Sequence, residues 1–233
     1  MQQINYGVDA PKIIRNLFSV AAVFYTLSVF FYLVKITLLF SVVAGSICFI
    51  EGLLMILYAR KGKFRQRDRI LKLINWSGNE SVLDVGTGLG LLMNGAAKKL
   101  TSGKSIGIDI WNNEDLSNNS SEKTLLNAEL EGVADKIEIK DENILHTNFQ
   151  DNYFDVVLSN LCLHNIKGKE SRKIAYTEIH RILKRDGTVI ISDFMHSHEY
   201  KKEFRRLGMI TEKVGTYYFD TFPPLTIIKA IKK

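Results

Sequence analysis

The chain has 233 residues, room for one good-sized domain and an appendage. Its two cysteines, Cys48 and Cys162, stand far apart in unlike surroundings, which argues against a disulfide framework and suits a reducing compartment. The net charge of +6 lies wholly in residues 1–80, with 10 Lys/Arg against 4 Asp/Glu, while residues 81–233 carry 21 of each and offer nucleic acid no basic cleft.

From Asn16 to Ala59 the chain is apolar, with Lys35 and Glu51 the only charges in 44 residues. A helical crossing needs about 20 apolar residues, so the run is long enough for two. Lys35 suits a turn at the far surface. Lys12 and Arg15 before the run, and Arg60, Lys61, Lys63, Arg65, Arg67 and Arg69 after it, put both ends in the cytoplasm under the positive-inside rule. The expected organisation is a cytoplasmic tail (1–15), a transmembrane helical hairpin (16–59), a basic linker with a lead-in helix (60–80) and a domain over 81–233. One crossing or an interfacial hairpin are the other readings, because "LVKITL" has no Gly, Pro or Asn to make a turn. Ser41, Gly45 and Gly52 could form a close-packing face between the helices. Glu51 is either functional, or snorkels to the basic end, or bonds the partner helix.

Beyond the linker, strands and helices alternate. The strands are "SVLDV", "KSIGIDI", "KIEIK", "YFDVVLSN" and "GTVIISDF", with helices between them and a helix–strand–strand ending. Such alternation predicts a mostly parallel sheet covered on both faces. From about Arg65 onward this core looks self-sufficient, so the first 60 residues are expected to anchor the protein and to be dispensable for ligand binding. The stretch "TYYFDTF" (216–222) is either an apolar entrance or a plain strand with core-facing rings.

"SVLDVGTGLG" ends its strand at Asp84 and then sets glycines at 86, 88 and 90. Glycines between a first strand and its helix lie at the carboxyl edge of the sheet, where open α/β folds bind ligands. The spacing differs from G-x-G-x-x-G, and Asp109, ending the second strand, could accept bonds from both hydroxyls of a ribose. Nicotinamide enzymes also use an acid there. The Tyr-x-x-x-Lys pair of short-chain oxidoreductases is absent, and so is any Cys/His cluster with metal-ligand spacing.

Taken in order, "VLDVGTGLG", "GIDI", "NFQDNYFDVVLSNLCLHNI" and "EIHRILKRDGTVIISDF" resemble the class I S-adenosylmethionine-dependent methyltransferases over roughly residues 65–233. They look most like the small-molecule branch that includes quinone-ring and sterol methyltransferases. The resemblance implies a Rossmann-like seven-stranded sheet with helices on both faces, its last strand antiparallel, here preceded by two transmembrane helices. It implies S-adenosylmethionine as cofactor, with Asp84 near the methionine amino group and Gly86 and Gly88 giving the ligand close approach. Gly90 would permit close helix packing. Asp109 would hold the ribose, Ile110 would pack on the adenine, and Asn143 with Ile144 would meet the adenine amine. Asn143 stands where the family commonly has an aspartate, though an amide oxygen can accept the same bond. Ser159 would offer its carbonyl to the methionine ammonium.

His164, in "LCLHNI", is the candidate catalytic residue on the acceptor side, or a histidine that structures its loop. Methyl transfer from a sulfonium needs a base only for a hydroxyl-like acceptor. The expected function is a membrane-anchored methyltransferase acting on a small, apolar or lipid-like acceptor. The alternative is a non-catalytic S-adenosylmethionine-binding membrane scaffold or sensor.

Overall fold

The computed structural model describes residues 3–33, 39–112 and 114–233. Two long apolar helices come first, α1 (Pro11–Leu33) and α2 (Leu39–Leu57). The expected hairpin turn around Lys35 lies outside the described residues. The first helix starts five residues before the apolar run does, because Pro11 suits a first helical turn, where its missing N–H costs nothing.

Small residues set how closely the pair packs. Ser41, Gly45 and Gly52 are the buried residues of α2. A Cβ on Gly45 would stand 3.1 Å from Phe24, and one on Gly52 3.0 Å from the Phe18 ring. Ser28 Oγ donates to Ser41 Oγ at 2.8 Å. Most other positions of the pair face outward, including Val29, Phe30, Leu39 and Phe40.

α2 continues through a π-helical turn (Tyr58–Gly62) into α3 (Lys63–Lys72). The remaining elements are β1 (Ser81–Val85), α4 (Leu91–Ala97), β2 (Lys104–Asp109), α5 (Ser121–Leu130), β3 (Ile137–Asp141) and β4 (Phe154–Asn160). Then follow α6 (Lys169–Ile182), β5 (Leu183–Asp193), α7 (Ser197–Arg206), β6 (Ile210–Tyr217) and β7 (Leu225–Ile231). The seven strands lie in the order β3-β2-β1-β4-β5-β7-β6, with β7 antiparallel to both of its neighbours and the other pairs parallel.

Alternation along the central strands sends side chains to two cores. Leu83 and Val85 of β1 join Val157, Tyr176 and Ile179 on one face. Val82 joins Ile70, Leu92, Val156 and Leu158 on the other. The strand order reverses beside β1, with β2 on one side and β4 on the other, which opens a crevice at their carboxyl ends.

The basic linker is only partly a free charged surface. Arg60, Lys61 and Arg65 are exposed, but Lys63 is buried. Arg69 stacks on Tyr217, 4.2 Å from the ring centre, and pairs with Asp220. Nor do residues 3–10 form a loose tail: they lie across α5 and the loop after β2. Asn5 N donates to Asn127 Oδ1 at 3.0 Å, Val8 N to Ser117 Oγ at 2.8 Å, and Ala10 N to the Asp115 carbonyl at 2.8 Å.

Candidate active site

The crevice is a cavity of about 740 Å³, in the upper part of the usual range of about 300–1,000 Å³ for small-molecule sites. It takes in Asp84, Gly86, Gly88, Asp109, Ile110, Asn143, Ile144 and His164 of the sequence-predicted residues.

Asp84, one residue before the end of β1, is almost fully buried. Its Oδ2 accepts from Thr87 Oγ1 at 2.9 Å and from Met93 N at 3.0 Å, while Oδ1 has no partner among the described residues. Burial, only partly offset by those bonds, pushes its pKa up to about 7. A carboxylate with one oxygen committed and one uncommitted is a ready partner for a cation.

The glycine turn is glycine first for the protein's own sake. Gly86 has φ +71°, and a Cβ there would stand 2.2 Å from Cys162 Sγ. Gly88 has φ +53°, and its Cβ would meet Leu116 Cδ2 at 2.7 Å. The expected reason, room for a ligand, is therefore joined by two side chains of the chain itself. Gly90 sits at the start of α4, where a Cβ would press on Thr124 and Asn94, in keeping with a close-packing role. It does not line the cavity.

Asp109 is tied into the same turn. Its Oδ2 accepts from Gly88 N at 2.8 Å; its Oδ1 accepts from Trp111 N at 2.7 Å and from Asn119 Nδ2 at 3.2 Å. A carboxylate oxygen has two lone pairs, so Oδ2 keeps one for a ligand hydroxyl. Ile110 beside it is 65% exposed, an apolar platform held open. Asn143 uses Oδ1 to accept from Leu145 N at 3.0 Å, and Ile144 is buried. Ser159, like Gly90, does not line the cavity. It is paired with Ile191 in the sheet, and its hydroxyl donates to the Val85 carbonyl at 3.1 Å. The cavity is lined instead by the next residue, Asn160, whose Nδ2 donates to Tyr58 Oη at 3.4 Å.

His164 stands in a short 3₁₀ turn after β4 (Leu163–Asn165), its ring edge-on to Phe194 at 4.6 Å. Nδ1 lies 2.9 Å from Asp193 Oδ1, though outside hydrogen-bonding alignment, and Nε2 has no partner among the described residues. Cys162 nearby is not a nucleophile: desolvation first, then the Asp109 and Asp193 carboxylates, push its thiol pKa up and keep it neutral.

Sequence reasoning missed the N-terminal wall. Tyr6, Asp9 and Ala10 line the cavity together with Lys63. Lys63 Nζ donates to the Tyr6 carbonyl at 2.6 Å, the Gly7 carbonyl at 2.7 Å and Asp9 Oδ2 at 3.3 Å. Ile13 and Leu17 of α1, and Glu51 and Met55 of α2, extend the wall into the hairpin. The hairpin therefore contributes to the lining of the cavity. Asp193, which sequence reasoning did not single out, carried a signal that could have found it, an acid ending a strand on the ligand edge; Lys63 looked like one more member of a basic run.

The donor set fits S-adenosylmethionine: an uncommitted acid oxygen at Asp84, a diol partner at Asp109 and an apolar platform at Ile110 would meet its ammonium, ribose and adenine.

Residues 83–191 match a family described as a methyltransferase domain. An uncharacterized protein of Haemophilus influenzae is 31% identical over 144 residues, a match covering 59% of this chain and 54% of that one. The chain thus spans about half the length of that curated relative. Among solved structures, an O-methyltransferase family protein from Burkholderia thailandensis superposes with a TM-score of 0.60 at 12% identity, over 82% of this chain and 60% of that one. A SAM-dependent methyltransferase from Aquifex aeolicus gives 0.53 at 17% identity, over 72% and 89%. At such identities these structures speak for the fold alone.

Proposed function

We propose that this chain, which carries a methyltransferase domain with S-adenosylmethionine as methyl donor, is a membrane-anchored enzyme that methylates a small, apolar or lipid-like acceptor. The observation that carries the proposal is the cavity itself, whose wall runs from Asp84 and Asp109 to Leu17 and Met55 of the two apolar helices.

The helices have the length for a bilayer. At 1.5 Å per residue, 23 and 19 residues reach about 34 and 28 Å, against a hydrocarbon core of about 30 Å. Their outward residues are large and apolar, with Phe40 79% and Tyr32 71% exposed, where the helix of a soluble core would bury them. The start of α1 and the end of α2 both meet the methyltransferase domain, through Ala10 and Gly62. With Arg60, Lys61 and Arg65 exposed at that end, the positive-inside rule assigns the domain to the cytoplasm.

When bound, S-adenosylmethionine supplies an electrophilic methyl group on a sulfonium. The protein's part is binding and alignment, which account for most of the rate in a direct displacement. Asp84 would hold the donor's ammonium and Asp109 its ribose, with the Gly86–Gly88 backbone between them. His164 would stand on the acceptor side with Nε2 unpartnered, and the Asp193 carboxylate lies beside its Nδ1. For an acceptor hydroxyl, that nitrogen is the group able to take the proton.

The test is the full-length protein in liposomes containing membrane lipid extract, with methyl-labelled donor. Label in the organic phase is the expected result. Label confined to water-soluble acceptors would remove the lipid-like acceptor, and donor binding without any label would favour a non-catalytic scaffold.

A further inference from the structure

Glu51 is the only charged residue in α2, and it makes no hydrogen bond or ion pair with any described residue. Among the described residues the carboxylate therefore neither bonds the partner helix nor meets a basic side chain. It lines the cavity together with Met55 and Tyr58, four and seven residues on. Spacings of four and seven put these three on one face of a helix. The face that packs on α1 is a different one, made by Ser41, Gly45 and Gly52. The hairpin thus turns a polar group toward the site that its own packing does not require.

The stripe has a direction. Tyr58, at its inner end, meets Asn160 at the end of β4, beside the donor residues. Glu51, at the outer end, is about 10 Å further along the helix at 1.5 Å per residue. Ile13 and Leu17 of α1, both apolar, line the same cavity. An unpaired carboxylate among apolar helices is costly unless something meets it. A wall with one such group and apolar neighbours suits a molecule with a long apolar part and one polar group.

We infer that Glu51 is a specificity-determining residue of the acceptor site, receiving a hydrogen bond from a hydroxyl or ammonium group of an amphipathic acceptor. The inference rests on the reading of the cavity as the site of a membrane-anchored methyltransferase and names the chemistry of its acceptor. The two sources of the bond differ in charge, so the variants separate them. Glu51→Gln keeps an acceptor oxygen and serves a hydroxyl, whereas an ammonium also needs the charge.

The experiment uses full-length protein in phosphatidylcholine nanodiscs and three probes: 1-dodecanol, dodecylamine and methyl dodecyl ether, which cannot donate. Wild type is expected to bind the alcohol or the amine at least about tenfold tighter than the ether, and Glu51→Leu to abolish that preference. Retention of the preference in Glu51→Gln would assign a hydroxyl, and its loss an ammonium. A wild type without preference, or a preference that survives Glu51→Leu, would overturn the inference. S-adenosylhomocysteine titrated into the same samples keeps the two readings apart. Its binding by wild type and variants alike leaves the donor site standing when the probe result fails, whereas its absence in wild type would count against the donor site itself.

Discussion

Asp193 Oδ1 lies 2.9 Å from His164 Nδ1, joining the end of β5 to the turn that follows β4. The carboxylate is itself fixed: Tyr200 Oη donates to Oδ2 at 2.9 Å, and Phe194 N to Oδ1 at 2.8 Å. His164 N donates to Oδ2 at 3.2 Å, so the acid holds the backbone of the residue whose ring lies beside it. His164→Ala is expected to lower turnover of a hydroxyl acceptor by roughly 10²–10⁴-fold, the usual contribution of a positioned acid or base. The dissociation constant for S-adenosylhomocysteine should not move. Unchanged turnover would reduce His164 to a residue that structures its loop.

Lys63 ties residues 6–9 to α3 through two carbonyls and Asp9, with its side chain only 4% exposed. Lys63→Met keeps the length of the stem but removes three charge-assisted bonds, each worth about 1.5–3 kcal/mol where buried. Because Asp9 is 29% exposed, its share sits at the low end or below. The same segment covers the glycine turn, where Asn127 Nδ2 donates both to the Asn5 carbonyl at 2.9 Å and to the Leu89 carbonyl at 3.0 Å. Lys63→Met, and deletion of residues 3–10, should therefore weaken donor binding tenfold or more in calorimetry. Full donor affinity in the deleted protein would return the segment to the status of a tail.

At Gly86 two costs combine. A Cβ would stand 2.2 Å from Cys162 Sγ, and φ of +71° is one that other residues adopt at about 1–2 kcal/mol. Gly86→Ala is expected to lower the melting temperature and donor affinity together. Adding Cys162→Ala relieves the Sγ clash, though a Cβ contact near 2.5 Å remains. Only Cys162→Gly should recover the steric part, leaving the backbone part. Full rescue by Cys162→Ala would mean that the turn relaxes more than its surroundings suggest.

The sheet was legible because its central strands β1, β4 and β5 hold apolar runs closed by a turn residue, and because strand-to-helix spacing repeats. Asp84 and Asp109 were legible as acids at strand ends beside glycines. Lys63 was not: along the chain it is indistinguishable from Lys61 or Arg65, and its burial depends on carbonyls 56 and 57 residues away. The crowding at Gly86 depends on Cys162, in another strand-end loop. Ser159 and Asn160 differ by one position, which in a strand decides between a sheet-facing hydroxyl and a cavity-facing amide. Sequence periodicity fixes faces of elements; it does not fix which distant segment comes to lie against them.

The pKa of Asp84, pushed up to about 7 by burial, makes donor binding dependent on pH. The sign follows from which form binds. An ammonium beside the carboxylate favours its charged form, so the carboxyl pKa falls in the complex and binding releases a proton below about pH 7. Affinity for S-adenosylmethionine should therefore drop as pH is lowered through 7, approaching tenfold per unit. Above about pH 8 the donor's own α-amino group loses its proton, with a reference pKa of about 7.7–8.0, and the attraction fades. The expected profile is a maximum between about 7 and 8. Calorimetry in two buffers of different ionisation enthalpy, at pH 6.0, 7.5 and 9.0, measures both the affinity and the protons released. Asp84→Asn should weaken binding and remove the acid limb alone. Affinity that stays flat from pH 6 to 7.5 in wild type would separate Asp84 from the donor's ammonium.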